Sequence, residues 1–69
     1  MYQIYFKNQN NKLCLLNNET DFIDGILPND FVNKLADNEL NFPYNFVRIQ
    51  YQGNKYIISI SNLIICLED

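Results

Sequence analysis

Residues 48–59, RIQYQGNKYIIS, decide the fold that the sequence predicts, because they form a pattern typical of two strands joined by a tight turn. A two-residue loop at Gly53-Asn54 suits a type II′ turn, which takes glycine at its first central position. One face of this hairpin is apolar, with the pairs Tyr51–Tyr56, Ile49–Ile58 and Val47–Ile60. The other face is mostly polar, with the pairs Gln52–Lys55, Gln50–Ile57, Arg48–Ser59 and Phe46–Ser61. We therefore predict that the apolar face belongs to the core, and that Ile57 and Phe46 are the exceptions on the polar face.

A second hairpin is predicted at the N-terminus, from residues 2–7 (YQIYFK) and 12–16 (KLCLL). The asparagine-rich segment between them has the composition of a turn. A turn at Gln9-Asn10 and a four-residue loop over residues 8–11 give the same register. In that register Phe6 faces Leu13 and Ile4 faces Leu15, so the apolar faces agree.

The apolar residues of segment 28–40 recur at helical spacing, which predicts one helix over about residues 29–40. Asn29 or Asp30 is expected to cap its first turn, and Asn41 with Pro43 to end it. Residues 63–68, LIICLE, follow the central hairpin and are almost continuously apolar. They predict a last short strand that is buried on both faces.

The predicted order is therefore β-β-α-β-β-β in a single domain over residues 1–69, with an α+β fold. Such short strands favour a small, strongly bent antiparallel sheet or a partly open barrel. The stretch 53–69 resembles the closing strands of small SH3-like or Sm-like barrels, where a hairpin is followed by a tight turn and a short strand. An open sheet with the helix across one face is the alternative.

The composition disfavours catalysis. The chain has no histidine, so it lacks the usual general base near neutral pH and the usual partner of a nucleophilic serine or cysteine. Cys14 and Cys66 are expected to be reduced core thiols and match no zinc pattern. Asp21 and Asp24 are interpreted as turn formers. We predict a protein that is not an enzyme and has no catalytic residue, metal site or cofactor.

The net charge indicates which partners are disfavoured, and the N-terminal sequence indicates where the protein is located. A net charge of −3 disfavours binding to nucleic acid, which needs a basic surface. No signal peptide or membrane span is recognisable in the sequence, so we expect a cytoplasmic location, in the protein's own cell or in an infected bacterial host. The apolar last strand would leave an edge to cover, which predicts a homodimer or higher oligomer.

The acidic middle of the chain is the first candidate surface. Residues 19–39 hold six acidic side chains against one lysine, a net charge of −5. The predicted partner-binding residues on the exposed side of the helix are Asp30, Asn33, Lys34, Asp37 and Glu39. They would meet a basic patch on a protein partner. A small acidic chain with twelve asparagines resembles in character the phage-encoded inhibitors that block bacterial defence or host proteins.

The polar face of the central hairpin is the alternative candidate. Arg48 is the only arginine, and it lies in the middle of a strand. A guanidinium with nearby amide, ammonium and hydroxyl donors suits a phosphate or a nucleotide-like small ligand. The predicted ligand-binding residues are Arg48, Gln50, Lys55 and Ser59, with the aromatic side chains of Phe46, Tyr44 and Tyr5 expected nearby.

Overall fold

The structure, a computed structural model, describes residues 2–37 and 45–67. Its elements along the chain are β1 (Tyr2–Lys7), β2 (Leu13–Leu15), β3 (Phe22–Ile23), α1 (Pro28–Ala36), β4 (Phe46–Tyr51), β5 (Asn54–Ser59), a 3-10 helical turn (Ile60–Asn62) and β6 (Leu63–Leu67). One three-stranded sheet has the order β2-β1-β6 and the other the order β3-β4-β5. All the pairings are antiparallel. The α+β class is confirmed, and β3 is a short strand that the sequence pattern did not predict.

One hydrophobic core joins both sheets to the helix. Each of these elements contributes side chains that are almost fully buried: Ile4, Phe6, Leu16, Ile23, Phe31, Val32, Val47 and Ile49. The Phe6 ring meets the Tyr51 ring edge-on, with 5.2 Å between the ring centroids, so an aromatic contact links the first sheet to the second. This shared core fixes the position of each sheet's outer face.

The central hairpin turns at Gln52-Gly53, so the predicted turn at Gly53-Asn54 is wrong. Both turn residues have positive φ, 50° at Gln52 and 81° at Gly53, as a type I′ turn requires. Asp21 holds this turn, because its Oδ1 accepts the N–H of Gln52 at 2.9 Å. Relative to the predicted register, every cross-strand pair therefore shifts by two residues.

The shift by two residues leaves the predicted faces of this hairpin intact, since side chains alternate with a period of two. Val47 and Ile49 are buried as predicted. From the same face, Tyr51, Ile58 and Ile60 pack against the core. Tyr56 is more exposed than predicted, although its ring centroid lies 5.8 Å from that of Phe6.

The predicted register of the first hairpin is wrong by one residue. The observed pairs are Tyr5–Leu15, Phe6–Cys14 and Lys7–Leu13. A shift by one residue moves every side chain of the second strand to the opposite face. Leu13 and Leu15, predicted to be core, are consequently about half exposed, whereas Leu16 is buried and donates its N–H to Ile4 O at 2.9 Å.

The connection between β1 and β2 explains this shift. It spans five residues, 8–12, and the Asn8 side chain organises it: Oδ1 accepts the N–H groups of Asn10 at 2.8 Å and of Lys12 at 3.1 Å. Asn11 adopts a left-handed conformation with φ 61°, which asparagine tolerates better than most residues. Because this loop has an odd number of residues, it sets a register that neither predicted turn, with two or four residues, could produce.

The helix begins at Pro28 and not at residue 29, and no side chain caps its N-terminus. Proline suits the first helical position because its missing N–H would have no partner there. Asn29 is occupied elsewhere: its Oδ1 accepts the N–H of Tyr2 at 2.8 Å, which ties the helix to β1. Regular helix ends at Ala36, before the predicted end. The closing residues predicted from the sequence, Asn41 and Pro43, lie outside the described residues.

The prediction that the last strand is buried on both faces is wrong, because Ile65 and Leu67 on one face and Cys66 on the other are exposed. Among the described strands β6 pairs only with β1, so it lies at the edge of its sheet, and Leu67 at its end remains 68% exposed. Cys66 is also exposed, which corrects its predicted place in the core. Cys14 is partly buried against the core. Both thiols are free.

Candidate functional site

The outer face of the β3-β4-β5 sheet carries the predicted ligand-binding residues. Arg48 and Gln50 project from β4, and Lys55 projects from β5 directly opposite Gln50. With Phe22 from β3 and Ile57 from β5, they line an open depression of about 930 Å³. We call this surface the Arg48 face. Its lining residues are Phe22, Asp24, Gly25, Arg48, Ile49, Gln50, Lys55, Tyr56 and Ile57.

The structure separates Ser59 from the other three predicted ligand-binding residues. Ser59 lies opposite Phe46 and does not line the depression. Its Oγ is 2.8 Å from Oγ of Ser61 and accepts the N–H of that residue at 3.4 Å. Ser59 therefore serves to cap the 3-10 helical turn.

The most exposed apolar residue of the Arg48 face, Ile57, was missed as a candidate. It is 72% exposed and lies directly opposite Arg48. Phe46, 61% exposed, is on the same side of the sheet one pair further along. The signal was present in the sequence, because these are the two apolar residues that break the polar pattern of this face. Large exposed apolar side chains in one area often mark an interaction surface.

The three predicted aromatic neighbours of Arg48 have different outcomes, and only Phe46 is found on the same side of the sheet in the described residues. Tyr5 belongs to β1 in the other sheet, and its hydroxyl donates to Oε1 of Gln3 at 3.0 Å. Tyr44 lies outside the described residues. Phe22, from the strand that the sequence did not predict, takes their place on the Arg48 face.

Asp24 holds the backbone of Arg48. The N–H of Asp24 donates to the Arg48 carbonyl at 2.7 Å, and the N–H of Arg48 donates to Oδ1 of Asp24 at 2.8 Å. Asp24 and Gly25 occupy a tight turn with φ values of 51° and 77°. Within residues 2–37 and 45–67, the Arg48 guanidinium has no ion-pair partner. Its charge is thus directed to solvent over the depression.

Asp21 is the only charged residue buried in the described part of the chain. Its Oδ2 accepts the N–H of Asn17 at 2.7 Å, and its Oδ1 accepts that of Gln52. Asp21 therefore joins the loop after β2 to the turn between β4 and β5. Among the described residues there is no group of three or more acidic or sulfur ligands close enough to hold a metal ion.

The acidic middle segment presents less charge at its surface than its sequence suggests, because Asp21 is buried. Asp30 and Asn33 on α1 and Asp37, the residue directly after it, are exposed, as the predicted partner-binding surface requires. Lys34 is half-buried, and Glu39 lies outside the described residues. The exposed residues occupy the side of the helix opposite the buried Phe31 and Val32.

The sequence matches no known family model, and comparisons with curated proteins and with solved structures also give no match. In the part of the chain that the structure describes, no helix has the length and apolarity needed to cross a membrane.

Proposed function

We propose that the protein is a non-catalytic interaction protein that binds a protein partner through the Arg48 face. The observation that carries the proposal is the placement of Ile57, the most exposed large apolar side chain within residues 2–37 and 45–67, beside Arg48 and Lys55 at one open depression. Arginine and aromatic side chains are enriched in protein interfaces, and the fully buried centre of an interface is more apolar than the rest of the surface. Isolated exposed apolar residues need no explanation, but Ile57, Phe46 and Phe22 share one side of one sheet.

The depression suits a macromolecular partner because most of its lining is exposed to solvent. Six of its nine lining residues are exposed. Pockets for small molecules enclose most of the ligand surface, whereas an open sheet face can meet another protein over a broad area. The two cations outnumber the single carboxylate there, Asp24, one of whose oxygens already accepts a hydrogen bond. The partner that fits is therefore acidic with at least one apolar anchor.

The proposed biological role is that of a small cytoplasmic inhibitor, phage-encoded, which blocks a bacterial host or defence protein by covering part of its surface. The support comes from the sequence: a short acidic chain, rich in asparagine and without histidine. Blocking a surface requires a stable fold and a complementary face, and it requires no catalytic group.

Affinity capture with paired variants tests the proposal. The tagged protein and its Arg48→Glu/Ile57→Ser variant are used as baits in bacterial lysate, and captured proteins are quantified by mass spectrometry. The matched control is Asp30→Lys/Asp37→Lys, which changes exposed charges on α1 alone. We expect a protein held by the wild type and the α1 variant and lost with the Arg48-face variant. Retention by the Arg48-face variant would refute the proposal.

The exposed side of α1 is a second candidate surface for the same function. Asp30, Asn33 and Asp37 are all exposed there, and a basic partner patch would complement them. The same capture experiment separates the two surfaces. Loss with the α1 variant and retention by the Arg48-face variant would assign partner binding to the acidic segment.

Binding of a phosphate or nucleotide-like ligand is the second candidate function. It is favoured by the grouping of Arg48, Gln50 and Lys55 around one depression. Native mass spectrometry of the purified protein should then detect a bound small molecule that Arg48→Ala removes. A ligand-free spectrum would refute this candidate without affecting the protein-binding proposal.

We further propose that the two sheets form a partly open, SH3-like or Sm-like barrel. The pairing of β6 with β1, across the 3-10 helical turn that follows β5, supports this arrangement, as does the shared core. The exposed Ile65 and Leu67 on β6 are the surface through which we propose a homodimer. Light scattering that reports a monomer at high concentration would refute the dimer.

A further inference from the structure

β5 is an edge strand, and the hydrogen bonds of β4 show where its backbone points. Both backbone groups of Arg48 are directed toward Asp24, on the β3 side of β4. Arg48 is the cross-strand partner of Ile57. In an antiparallel ladder, two such partners either bond to each other or both point away from each other. The N–H and C=O of Ile57 therefore point away from β4, toward the open edge of the sheet.

The other end of the ladder confirms this alternation. The N–H of Ile60 donates to the Asn45 carbonyl at 2.9 Å, so these partners belong to a hydrogen-bonded pair. Since hydrogen-bonded pairs recur every two residues, Ile58 and Tyr56 are the next hydrogen-bonded positions along β5. Lys55 and Ile57 are the alternate positions. In the described structure no strand covers this edge, because β5 is the last strand of its sheet.

We propose that the partner binds as an extended acidic segment that adds a strand to the edge of β5. This inference rests on the proposed function, since it specifies how the Arg48 face is used. Strand addition would pair the free backbone groups of Lys55 and Ile57 with those of the segment. Alternate side chains of the segment then lie on the Arg48 face, where an apolar residue meets Ile57 and a carboxylate meets Lys55, with the charge of Arg48 one strand further in on the same face.

The charges favour an acidic segment over a second copy of this chain at this edge. Two copies paired through β5 would form one continuous sheet and bring two sets of Arg48 and Lys55 onto it. An acidic segment supplies the opposite charge to the same cations. Its side chains alternate with the period of the sheet, so the partner's apolar and acidic residues would share one face of the added strand.

Amide hydrogen exchange tests the inference, because it reports directly on the backbone groups of β5. The probe is a short capped peptide whose every second residue is glutamate, valine and glutamate in turn, with threonine at the positions between, so that glutamate and valine share one face; it is added to the ¹⁵N-labelled protein and followed by NMR. The same peptide with lysine in place of each glutamate is the matched control. We expect the Lys55 and Ile57 amides to exchange fast in the free protein and to slow about tenfold or more with the acidic peptide. Tyr56 and Ile58, already bonded to β4, should change little.

A pair of variants separates backbone from side-chain binding. Ile57→Pro removes the outward N–H without removing a bond to β4, a position where edge strands accept proline. Ile57→Ala shortens the same side chain and keeps the N–H. We expect the acidic peptide to bind Ile57→Pro about tenfold more weakly than Ile57→Ala. The exchange measurement on the wild type decides the matter even if the proline variant does not fold.

The remaining outcomes overturn the inference in distinguishable ways. If the acidic peptide shifts the signals of the Arg48 face but leaves the Lys55 and Ile57 amides in fast exchange, strand addition is wrong and the proposed function stands. If these amides are protected without peptide, and more so at higher protein concentration, a second copy occupies the edge. If neither peptide binds, the acidic segment is wrong, and the capture experiment above decides the proposed function separately.

Discussion

Replacing Asp21 by asparagine should destabilise the protein more than any other change of charge in the described loops. Asp21 is only 2% exposed, and each of its oxygens accepts a backbone N–H, from Asn17 at 2.7 Å and from Gln52 at 2.9 Å. Asparagine keeps one acceptor oxygen, but its amide turns a donor toward the second N–H. One hydrogen bond is therefore lost, and the other is accepted by a neutral oxygen in place of a charged one.

The magnitude follows from these two bonds. A hydrogen bond to a charged group contributes about 1.5–3 kcal/mol, and a neutral one about 1 kcal/mol. Burying an amide costs less than burying a carboxylate, which offsets part of the loss. We expect the free energy of unfolding to fall by about 2 kcal/mol, which for a domain of this size lowers the Tm by about 8–16 °C.

Urea and thermal unfolding followed by circular dichroism measure this change, and Asp24→Asn is the matched control. Asp24 is exposed, and its one side-chain hydrogen bond, to the Arg48 N–H, can be accepted equally by an asparagine oxygen. The control should lose less than about 1 kcal/mol. If Asp21→Asn lost no more than Asp24→Asn, the buried carboxylate would not join the two loops as described.

Three further predictions concern the registers and the exposed strand. Gln52→Asn should raise the free energy of unfolding by about 0.5–1 kcal/mol, because asparagine followed by glycine suits a type I′ turn. A lower Tm in thermal unfolding would instead favour the turn one residue later. In urea unfolding, Leu16→Ala should lower the free energy of unfolding by about 2–5 kcal/mol and Leu15→Ala by less than about 1 kcal/mol. A larger loss with Leu15→Ala would contradict the observed register. Cys66 should react with a maleimide faster than Cys14, as peptide mass spectrometry would detect, since Cys66 is exposed; faster labelling of Cys14 would contradict the edge position of β6.

The two hairpins show why one register error left the faces correct and the other did not. In the central hairpin the predicted turn lies one residue too late, which moves each pairing by two and keeps Val47 and Ile49 in the core. In the first hairpin the loop has five residues, and the resulting shift by one exposes Leu15 and buries Leu16. Both residues are leucine, so the hydrophobic pattern could not distinguish them. The choice depends on Asn8 and Asn11, whose roles are visible only once the loop is folded.

The candidate site was predictable in part. Arg48, Gln50 and Lys55 share a face because of strand alternation, which the sequence displays directly. Phe22 joins them through β3, which is too short to leave a pattern. The position of Ile57 opposite Arg48 depended on the turn.

The sequence by itself determined the α+β class and the side of the central hairpin that is buried, because both depend on local periodicity. The chain has no histidine, the commonest acid-base group at neutral pH, and the prediction that the protein is not an enzyme rests on that composition. Only the tertiary structure decided the registers, the burial of Asp21 and the exposure of β6. These depend on contacts between residues far apart in the chain, such as Asp21 with Gln52 and β1 with β6. A local pattern carries no information about which distant backbone group a buried carboxylate will meet.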